Sequence, residues 1–280
     1  MMYDIGNVIL KIENVIDMQM LISLNEFEKE SAKVDIVYRL HYVDVFPKSE
    51  EKIVYANSNL MVQKSLFGYR YIHFIEDRIF AITEENGNNF DIYLLKSIKE
   101  AKLHPYFLLS LLWIERIIVH KKEFLLHSAY VSYKEQGILF TAPSGGGKST
   151  QAELWKVNKE ADILNGDRSI VRKKDDKWMI YGTPYSGTSP YCVNITTPLN
   201  AIIILEKSMV NQIERIGIKG FSNILAQTMI NPWDKEMCNS IMELVKLVCE
   251  EIPIYKYSCR KDASAVEDLY RRLVEDGVLR

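Results

Sequence analysis

The chain has 280 residues, of which 48% are hydrophobic and 26% are charged, the balance of an ordinary globular protein. This length predicts one or two domains, and the composition excludes collagen-like repeats, coiled coil and general disorder as the main architecture. Lys and Arg number 35 against 37 Asp and Glu, for a net charge of -2, so we expect neither nucleic acid nor a membrane surface as the partner.

The first hundred residues have the composition of strands. Segments such as Val34–Tyr42 and Tyr69–Thr83 mix β-branched and aromatic residues, which favours strand over helix. The sequence Glu-Asn-Gly-Asn-Asn at 85–89 supplies a turn. We therefore predict a strand-rich N-terminal domain over residues 1–103.

A helical pattern follows this domain. Pro105 is typical of a first helical position. The apolar residues after it recur at helical spacing, namely Phe107, Leu108, Leu111, Leu112, Ile114 and Ile118. We predict a connecting helix over residues 104–123.

From residue 124 onwards, strands and helices are interleaved. The pattern predicts strands at 124–131, 137–141, 163–164, 169–172, 178–181, 201–205 and 253–258. It predicts helices at about 148–159, from about Gly220, from about Asp234, and at 263–275. This arrangement predicts an α/β nucleotide-binding domain over residues 124–280.

Nothing in the sequence predicts a secretory leader or a membrane segment. The beginning, MMYDIGNVIL, has no charged segment followed by a long apolar one. The longest apolar stretch, around Phe107–Ile114, is too short to span a bilayer. The four cysteines have neither CxxC spacing nor a histidine at zinc-ligand spacing. We expect a cytoplasmic protein without a zinc site.

The most informative segment is the glycine-rich loop Ala142–Thr150, with the sequence APSGGGKST. It fits the P-loop pattern, except that Ala142 stands where the first glycine is usual, and it lies between a buried strand and a helix. Glycines let successive backbone N–H groups turn inward around an anion, and the helix N-terminus adds a partial positive charge. We predict that nucleotide phosphates bind here through Ser144, Gly145, Gly146, Gly147, Lys148, Ser149 and Thr150.

Two side chains of the loop and one carboxylate have further predicted roles. Lys148 is placed to reach the β- and γ-phosphates, and the Ser149 hydroxyl is placed to ligate Mg²⁺. A P-loop also needs an acidic residue near the metal, and Asp167 follows the predicted strand Ile163–Leu164. Ser149 and Asp167 are therefore the candidate Mg²⁺ ligands.

Three other features have weaker signals. His127 lies immediately upstream of the P-loop strand, and a lone histidine is more often a packed or surface residue. Glu206 ends the apolar run Ala201–Leu205, where strand ends commonly point residues at a ligand crevice. Residues 182–191 form a loop rich in Gly, Ser, Thr and Pro, which suits a surface connection and an active-site lid equally well.

These motifs together resemble the catalytic domain of the HPr kinase/phosphorylase family. The resemblance rests on HSAYVSYKEQGILFTAPSGGGKSTQAELW, which begins at His127, and on ILNGDR, which ends at Arg168. The sequence is more similar to the HPr-kinase-like proteins of ribosomal-peptide clusters, including the lasso-peptide kinases. Those proteins similarly carry a GDR segment, a GTP-aromatic-x-G loop, an apolar strand ending in LE, and a tail like Tyr257–Arg260. The resemblance covers roughly residues 124–275.

The resemblance implies a fold like that of phosphoenolpyruvate carboxykinase and HPr kinase, and ATP-dependent phosphorylation of a hydroxyl. His127 coincides with the family's catalytic histidine. Asp167 matches the second of two adjacent acidic residues in HPr kinase, and Gly166 stands in place of the first. Because the family's general base lies in that pair, either Asp167 serves both the metal and the hydroxyl, or His127 takes the proton.

We therefore expect a kinase that uses ATP and Mg²⁺, with His127, Asp167 and Lys148 as catalytic residues. The expected acceptor is a Ser or Thr hydroxyl on a peptide or small protein, such as a lasso-type precursor. Two alternatives stay open. One is a kinase for a free amino acid such as serine, whose carboxylate Arg168 would bind. The other is a nucleotide-binding regulatory module without catalysis, which Gly166 favours.

The N-terminal domain has two interpretations. It is either a packing domain or homo-oligomer interface, which we prefer, or a surface that recognises a peptide through exposed strand edges. The oligomeric state itself is left open by the sequence.

Overall fold

The computed structural model of the chain describes residues 1–97 and 106–280. It divides into two compact units, Met1–Ile114 and Glu115–Arg280. The described residues form two sheets together with several helices, so the mixed α/β class predicted from the sequence is confirmed. The boundary lies at residue 114, whereas the sequence pattern places the end of the first domain at 103.

The first unit is built on one sheet. Its strands are β1 (Met2–Ile5), β2 (Val8–Glu13), β3 (Glu28–Lys29), β4 (Ile36–Val43), β5 (Lys52–Ala56), β6 (Leu60–Lys64), β7 (Tyr69–Ile75), β8 (Arg78–Asn86) and β9 (Asn89–Leu95). Within the described residues of this unit their order is β3-β1-β2-β4-β9-β8-β7-β6-β5. A 3₁₀ helix, Met18–Phe27, separates β2 from β3. The strands predicted in the first hundred residues are thus found.

The connecting helix predicted over 104–123 is not continuous. Residues 104 and 105, including its predicted first residue Pro105, lie outside the described residues. Beyond them the structure has three short segments, a 3₁₀ turn at Leu108–Leu111, α1 (Ile114–Ile118) and a 3₁₀ turn at Val119–Lys121. Trp113 interrupts them with a φ of 48°, and its ring stacks on Tyr71 with 4.0 Å between the ring centroids. Packing of this large aromatic ring overrides the helical spacing of its neighbours.

The second unit contains every strand and helix predicted there. Its strands are β10 (Glu123–Tyr133), β11 (Gln136–Thr141), β12 (Asp162–Asn165), β13 (Arg168–Lys174), β14 (Lys177–Tyr181), β15 (Thr196–Lys207), β16 (Gln212–Arg215) and β17 (Ile254–Cys259). Its longer helices are α2 (Lys148–Lys159), α4 (Lys235–Glu251) and α5 (Ala263–Glu275), and a short α3 (Phe221–Leu225) precedes α4. The sequence pattern missed β16 and the first residues of β15.

The sheet of this unit brings three strand ends to one edge. Within residues 115–280 the strand order is β11-β10-β13-β14-β15-β17-β16, with β12 beside β10 and an additional pairing of β11 with β15. β11 is parallel to β15, and β15 is parallel to β17. The carboxyl ends of β11, β15 and β17 therefore lie at the same edge, where ligands commonly bind in α/β sheets.

Helices cover both faces of the sheet, as the alternation of apolar residues requires. On one face Phe140 of β11 packs in a core with Trp155 of α2 and with residues of α5. On the other face Leu139 of β11 packs in a second core with Ile241 of α4. Trp155 is fully buried. These two cores fix β11 and α2, and hence the loop that joins them.

Among the described residues, no helix combines the length and apolar character that crossing a bilayer requires.

Candidate active site

The loop between β11 and α2 has the backbone geometry of an anion-binding nest. Gly145 and Gly147 have φ angles of 72° and 106°, in a region that L side chains rarely adopt. A Cβ on Gly146 would lie 2.5 Å from Ala142 Cβ and 2.9 Å from the Pro143 carbonyl oxygen. All three central glycines are therefore required. Ala142 is not among the residues with positive φ, so the departure from glycine at that position carries no backbone strain.

The first N–H groups of α2 are open to a ligand. Gly147 is the N-cap residue and offers no side chain to accept a hydrogen bond from the first turn. A cavity of about 220 Å³ opens beside this turn and is lined by Gly145, Gly146, Gly147, Lys148, Ser149, Thr150, Lys207 and Lys261. Ser144 is exposed just outside this lining. Uncapped N–H groups at a helix N-terminus form a site for phosphate oxygens.

Lys148 points back over the loop. Its Nζ donates to the carbonyl oxygens of Ala142 at 3.0 Å and Pro143 at 3.5 Å. Burial lowers the pKa of the Lys148 ammonium, and the charge of Asp167 opposes that shift. A largely buried ammonium held by carbonyl dipoles is a strong attractant for an anion entering the loop.

The side chains of His127, in β10, and Asp167, in the turn before β13, form a pair. Asp167 lies in the turn between β12 and β13, and its carbonyl oxygen accepts from Ser128 N of β10 at 2.9 Å. His127 Nε2 is 3.5 Å from Asp167 Oδ1. Burial raises the pKa of Asp167, but the hydrogen bond from His127 and the charges of Arg168, His127 and Lys148 outweigh it, so the pKa lies below its ordinary value. The Asp167 side chain is therefore a carboxylate at neutral pH.

The turn that carries Asp167 is built by a buried asparagine. Asn165 Oδ1 accepts from the backbone N–H groups of Asp167 and Arg168, both at 2.9 Å. Its Nδ2 donates to the Thr183 carbonyl oxygen at 2.8 Å. The sequence indicates a turn at this Asn-Gly pair, but not that the Asn165 side chain shapes it.

Gln227 is a residue that the sequence analysis missed. The segment after α3 runs beside β10, and His127 N donates to the Gln227 carbonyl oxygen at 2.8 Å. Gln227 Oε1 lies 3.2 Å from His127 Nδ1, so it accepts a hydrogen bond in the tautomer that carries the proton on that nitrogen. The imidazole is thus held between an amide and a carboxylate. No local motif marks a contact that spans a hundred residues of sequence.

We expect Gln227→Leu to change the tautomer preference of His127. Loss of one hydrogen bond of about 1 kcal/mol corresponds to about a fivefold change in the tautomer ratio. The ratio is measurable from the ¹⁵N shifts of the ring by NMR. Gln212→Leu, at an exposed position of β16, is the matched control, and an unchanged ratio in Gln227→Leu would contradict the assignment.

Gly166, where the resemblance to HPr kinase implies an acidic residue, is covered by another part of the chain. A Cβ on Gly166 would lie 2.1 Å from Ser189 Cβ and 2.2 Å from Ser189 Oγ. The loop after β14 therefore occupies the space that a side chain at position 166 would need. Glycine here is a packing requirement of this chain.

Adding a methyl group at this point tests that packing. Gly166→Ala should destabilise the protein by about 1–3 kcal/mol, as overpacking does. In the double variant with Ser189→Gly the methyl group has room, so stability should return to that of Ser189→Gly alone. Urea unfolding of the parent protein, the two single variants and the double variant measures the free energies of unfolding. Strictly additive changes in these free energies would show that the two residues do not touch.

Two other candidate residues have partners outside the phosphate loop. Glu206 is exposed and pairs with Lys256 at 3.0 Å; the cavity at the loop is lined by the next residue, Lys207, and not by Glu206. Arg168 Nε lies 3.5 Å from Asp167 Oδ2, and its guanidinium lies over the Tyr185 ring at 5.2 Å.

A second cavity adjoins the first. It has a volume of about 530 Å³ and is lined by Lys207, Ser208, Met209, Cys259, Arg260, Lys261 and Asp262. Gln151 Nε2 donates to the Arg260 carbonyl oxygen at 3.1 Å, which joins α2 to the lining of this cavity. Lys207 and Lys261 line both cavities, so the two spaces share a cationic border. Neither lysine was singled out in the sequence, since only the parallel pairing of β15 and β17 brings them to the loop.

No family model matches the chain, and no curated protein matches its sequence. Among solved structures, the chain is similar to one described as the structure of the Hpr(Ser) kinase/phosphatase from Coxiella burnetii. The identity is 11% and the TM-score is 0.33, and the match covers 54% of this chain and 97% of that chain.

Proposed function

We propose that the second unit is an ATP-dependent kinase that transfers the γ-phosphoryl group to a Ser or Thr hydroxyl of a peptide or small protein. One observation carries the proposal, the proximity of the phosphate loop to His127 and Asp167. Thr141, the residue before the phosphate loop, donates from Oγ1 to the His127 carbonyl oxygen at 2.8 Å, and the charge of Lys148 contributes to the low pKa of Asp167. These two contacts support a single site made of the anion nest and the carboxylate–imidazole pair.

The two cavities suit the two halves of a nucleotide. The small cavity at the loop matches a chain of phosphates, because N–H groups, Lys148, Lys207 and Lys261 surround it. The larger cavity, at about 530 Å³, is within the usual size range of small-molecule sites. It supports binding of the nucleoside, with Lys207 and Lys261 near the junction.

The residues at the loop fit a Mg²⁺ ion. Ser149 offers an exposed hydroxyl at the start of α2, and Asp167 offers an ionised carboxylate. Mg²⁺ prefers such oxygen donors and completes its shell with phosphate oxygens and water. When bound, the ion supplies positive charge between the β- and γ-phosphates.

Each side chain of the site then has a separate role in phosphoryl transfer. The loop N–H groups and Lys148 stabilise negative charge on the phosphates. Asp167 orients the acceptor hydroxyl, and either Asp167 or His127 Nε2 accepts its proton. Phosphoryl transfer depends mainly on positioning and electrostatics, so a carboxylate of low pKa is adequate for this role. Gln227 and Asn165 hold the two groups in place.

A second candidate function has one observation in its favour. Because Ser189 covers Gly166, the turn has a single carboxylate where the family pattern has an acidic pair. A nucleotide-binding module without catalysis would bind ATP through the same loop and transfer nothing.

The proposal is tested by intact-mass analysis after incubation with ATP and Mg²⁺. The acceptors are a degenerate mixture of peptides containing Ser or Thr and, in a parallel reaction, free serine. We expect a gain of one phosphoryl group on peptides. A gain on serine alone would establish the amino-acid kinase instead, and ATP binding without any transfer would establish the silent module.

A further inference from the structure

The loop between β14 and β15, residues 182–195, is fastened at its base. Gly182 N donates to the Ile195 carbonyl oxygen at 3.0 Å. Thr183 Oγ1 donates to the Arg168 carbonyl oxygen at 2.6 Å. These bonds, together with that from Asn165, tie the loop to the same turn that presents the catalytic carboxylate.

The loop tip, residues 186–190, lies against that carboxylate. Gly187 has a φ of 60°, and a Cβ on it would lie 3.2 Å from Asp167 Oδ1. Ser189 covers Gly166, the residue before the carboxylate. The two residues after Gly187 each carry a hydroxyl: that of Thr188 is exposed, and Ser189 Oγ accepts a hydrogen bond from Tyr191 N at 3.2 Å.

A hydroxyl tethered in this way has an advantage over one in solution. Holding a reactant beside the catalytic group replaces a bimolecular encounter with a unimolecular step, for which effective concentrations are very high. Gly187 has no side chain, so nothing at that position separates the tip from Asp167.

We propose that the loop tip is an acceptor in cis, so that the protein phosphorylates itself on Thr188 or Ser189. This inference rests on the kinase function proposed above and names an acceptor for the same site. Oγ of the hydroxyl forms a bond to the γ-phosphorus of ATP while the bond from that phosphorus to the bridging oxygen of ADP breaks. The proton passes to Asp167 or His127, and ADP leaves.

Phosphorylation changes the charge of the loop tip. A phosphorylated hydroxyl bears about -1.5 to -2 charges at neutral pH. Beside the Asp167 carboxylate this charge is repelled, so the modified tip moves away from its present position and opens the acceptor side of the site.

The test is incubation of the full chain with ATP and Mg²⁺ and no added acceptor, followed by intact mass and peptide mapping. We expect a phosphoryl group within residues 186–190 and a rate constant that does not depend on protein concentration. Thr188→Val combined with Ser189→Ala should lose the modification completely. Thr196→Val, an exposed hydroxyl at the start of β15, should keep it.

The outcomes separate this inference from the proposed function. If added peptides are phosphorylated but the tip is not, the inference is overturned and the kinase function stands. Modification at other residues, or a rate that rises with protein concentration, overturns it as well. Failure of both self-modification and peptide transfer overturns both. The single variants Thr188→Val and Ser189→Ala, each checked by thermal unfolding, separate loss of the acceptor hydroxyl from a folding defect in the double variant.

Discussion

Phosphoryl transfer should fall by about 10²–10³-fold when Lys148 is replaced by methionine. The Lys148 ammonium donates to two uncharged groups in this structure, carbonyl oxygens of its own loop. It is therefore available to stabilise charge on the phosphates, and methionine keeps its length without that charge. Initial rates with a phosphorylatable peptide and saturating ATP measure the effect.

The same variant should fold at least as stably as the parent protein. Burial already disfavours the charged form of Lys148, so removing the charge relieves a desolvation penalty. Thermal unfolding without nucleotide checks this point. Lys246→Met, on the exposed face of α4, is the matched control and should leave both transfer and stability unchanged. Full activity in Lys148→Met would refute the phosphate-loop assignment.

Asp167→Asn should lower transfer by about 10²–10⁴-fold, the range found when a positioned acid–base group is lost. Asparagine keeps the shape of the side chain, but it loses the charge that faces His127, Arg168 and Lys148. It also weakens a candidate Mg²⁺ ligand. Steady-state rates as a function of Mg²⁺ concentration report both effects.

A spectroscopic readout separates loss of the metal from misfolding. Binding of Mn²⁺ in the presence of ATP, followed by EPR, should weaken in Asp167→Asn. Asp162→Asn, at the exposed first residue of β12, changes the same type of side chain five residues earlier and should affect neither readout. Normal Mn²⁺ binding with normal transfer in Asp167→Asn would exclude the proposed role.

The parts of the fold that are encoded locally could be predicted from the sequence. The strand, glycine loop and helix around Lys148 follow from apolar alternation, three glycines and helical spacing within a short segment. Helix α2 begins and ends where the pattern places it. Trp113 shows the opposite case, because its ring stacks on Tyr71, a residue of a distant strand, and helical spacing around Trp113 does not indicate that contact.

The parts of the site that depend on sheet pairing could not be predicted in this way. Gln227 reaches His127 only because the segment after α3 runs along β10. Lys207 and Lys261 reach the loop only because β15 and β17 are parallel. Contact with Ser189 leaves no room for a side chain at position 166, and this contact joins two segments that are separate in the sequence. Such contacts are properties of the assembled sheet.

The parallel pairing of β11 with β15 and of β15 with β17 would link the proposed nucleotide binding to folding. Lys207 and Lys261 line the cavity at the glycine loop only when these distant segments have come together, so the unfolded chain would lack the complete site. By thermodynamic linkage, a ligand that binds the native state alone at a hundred times its dissociation constant raises the free energy of unfolding by about 2.7 kcal/mol. If nucleotide binds as proposed, the melting temperature of the second unit therefore rises with occupancy of the site at the sheet edge.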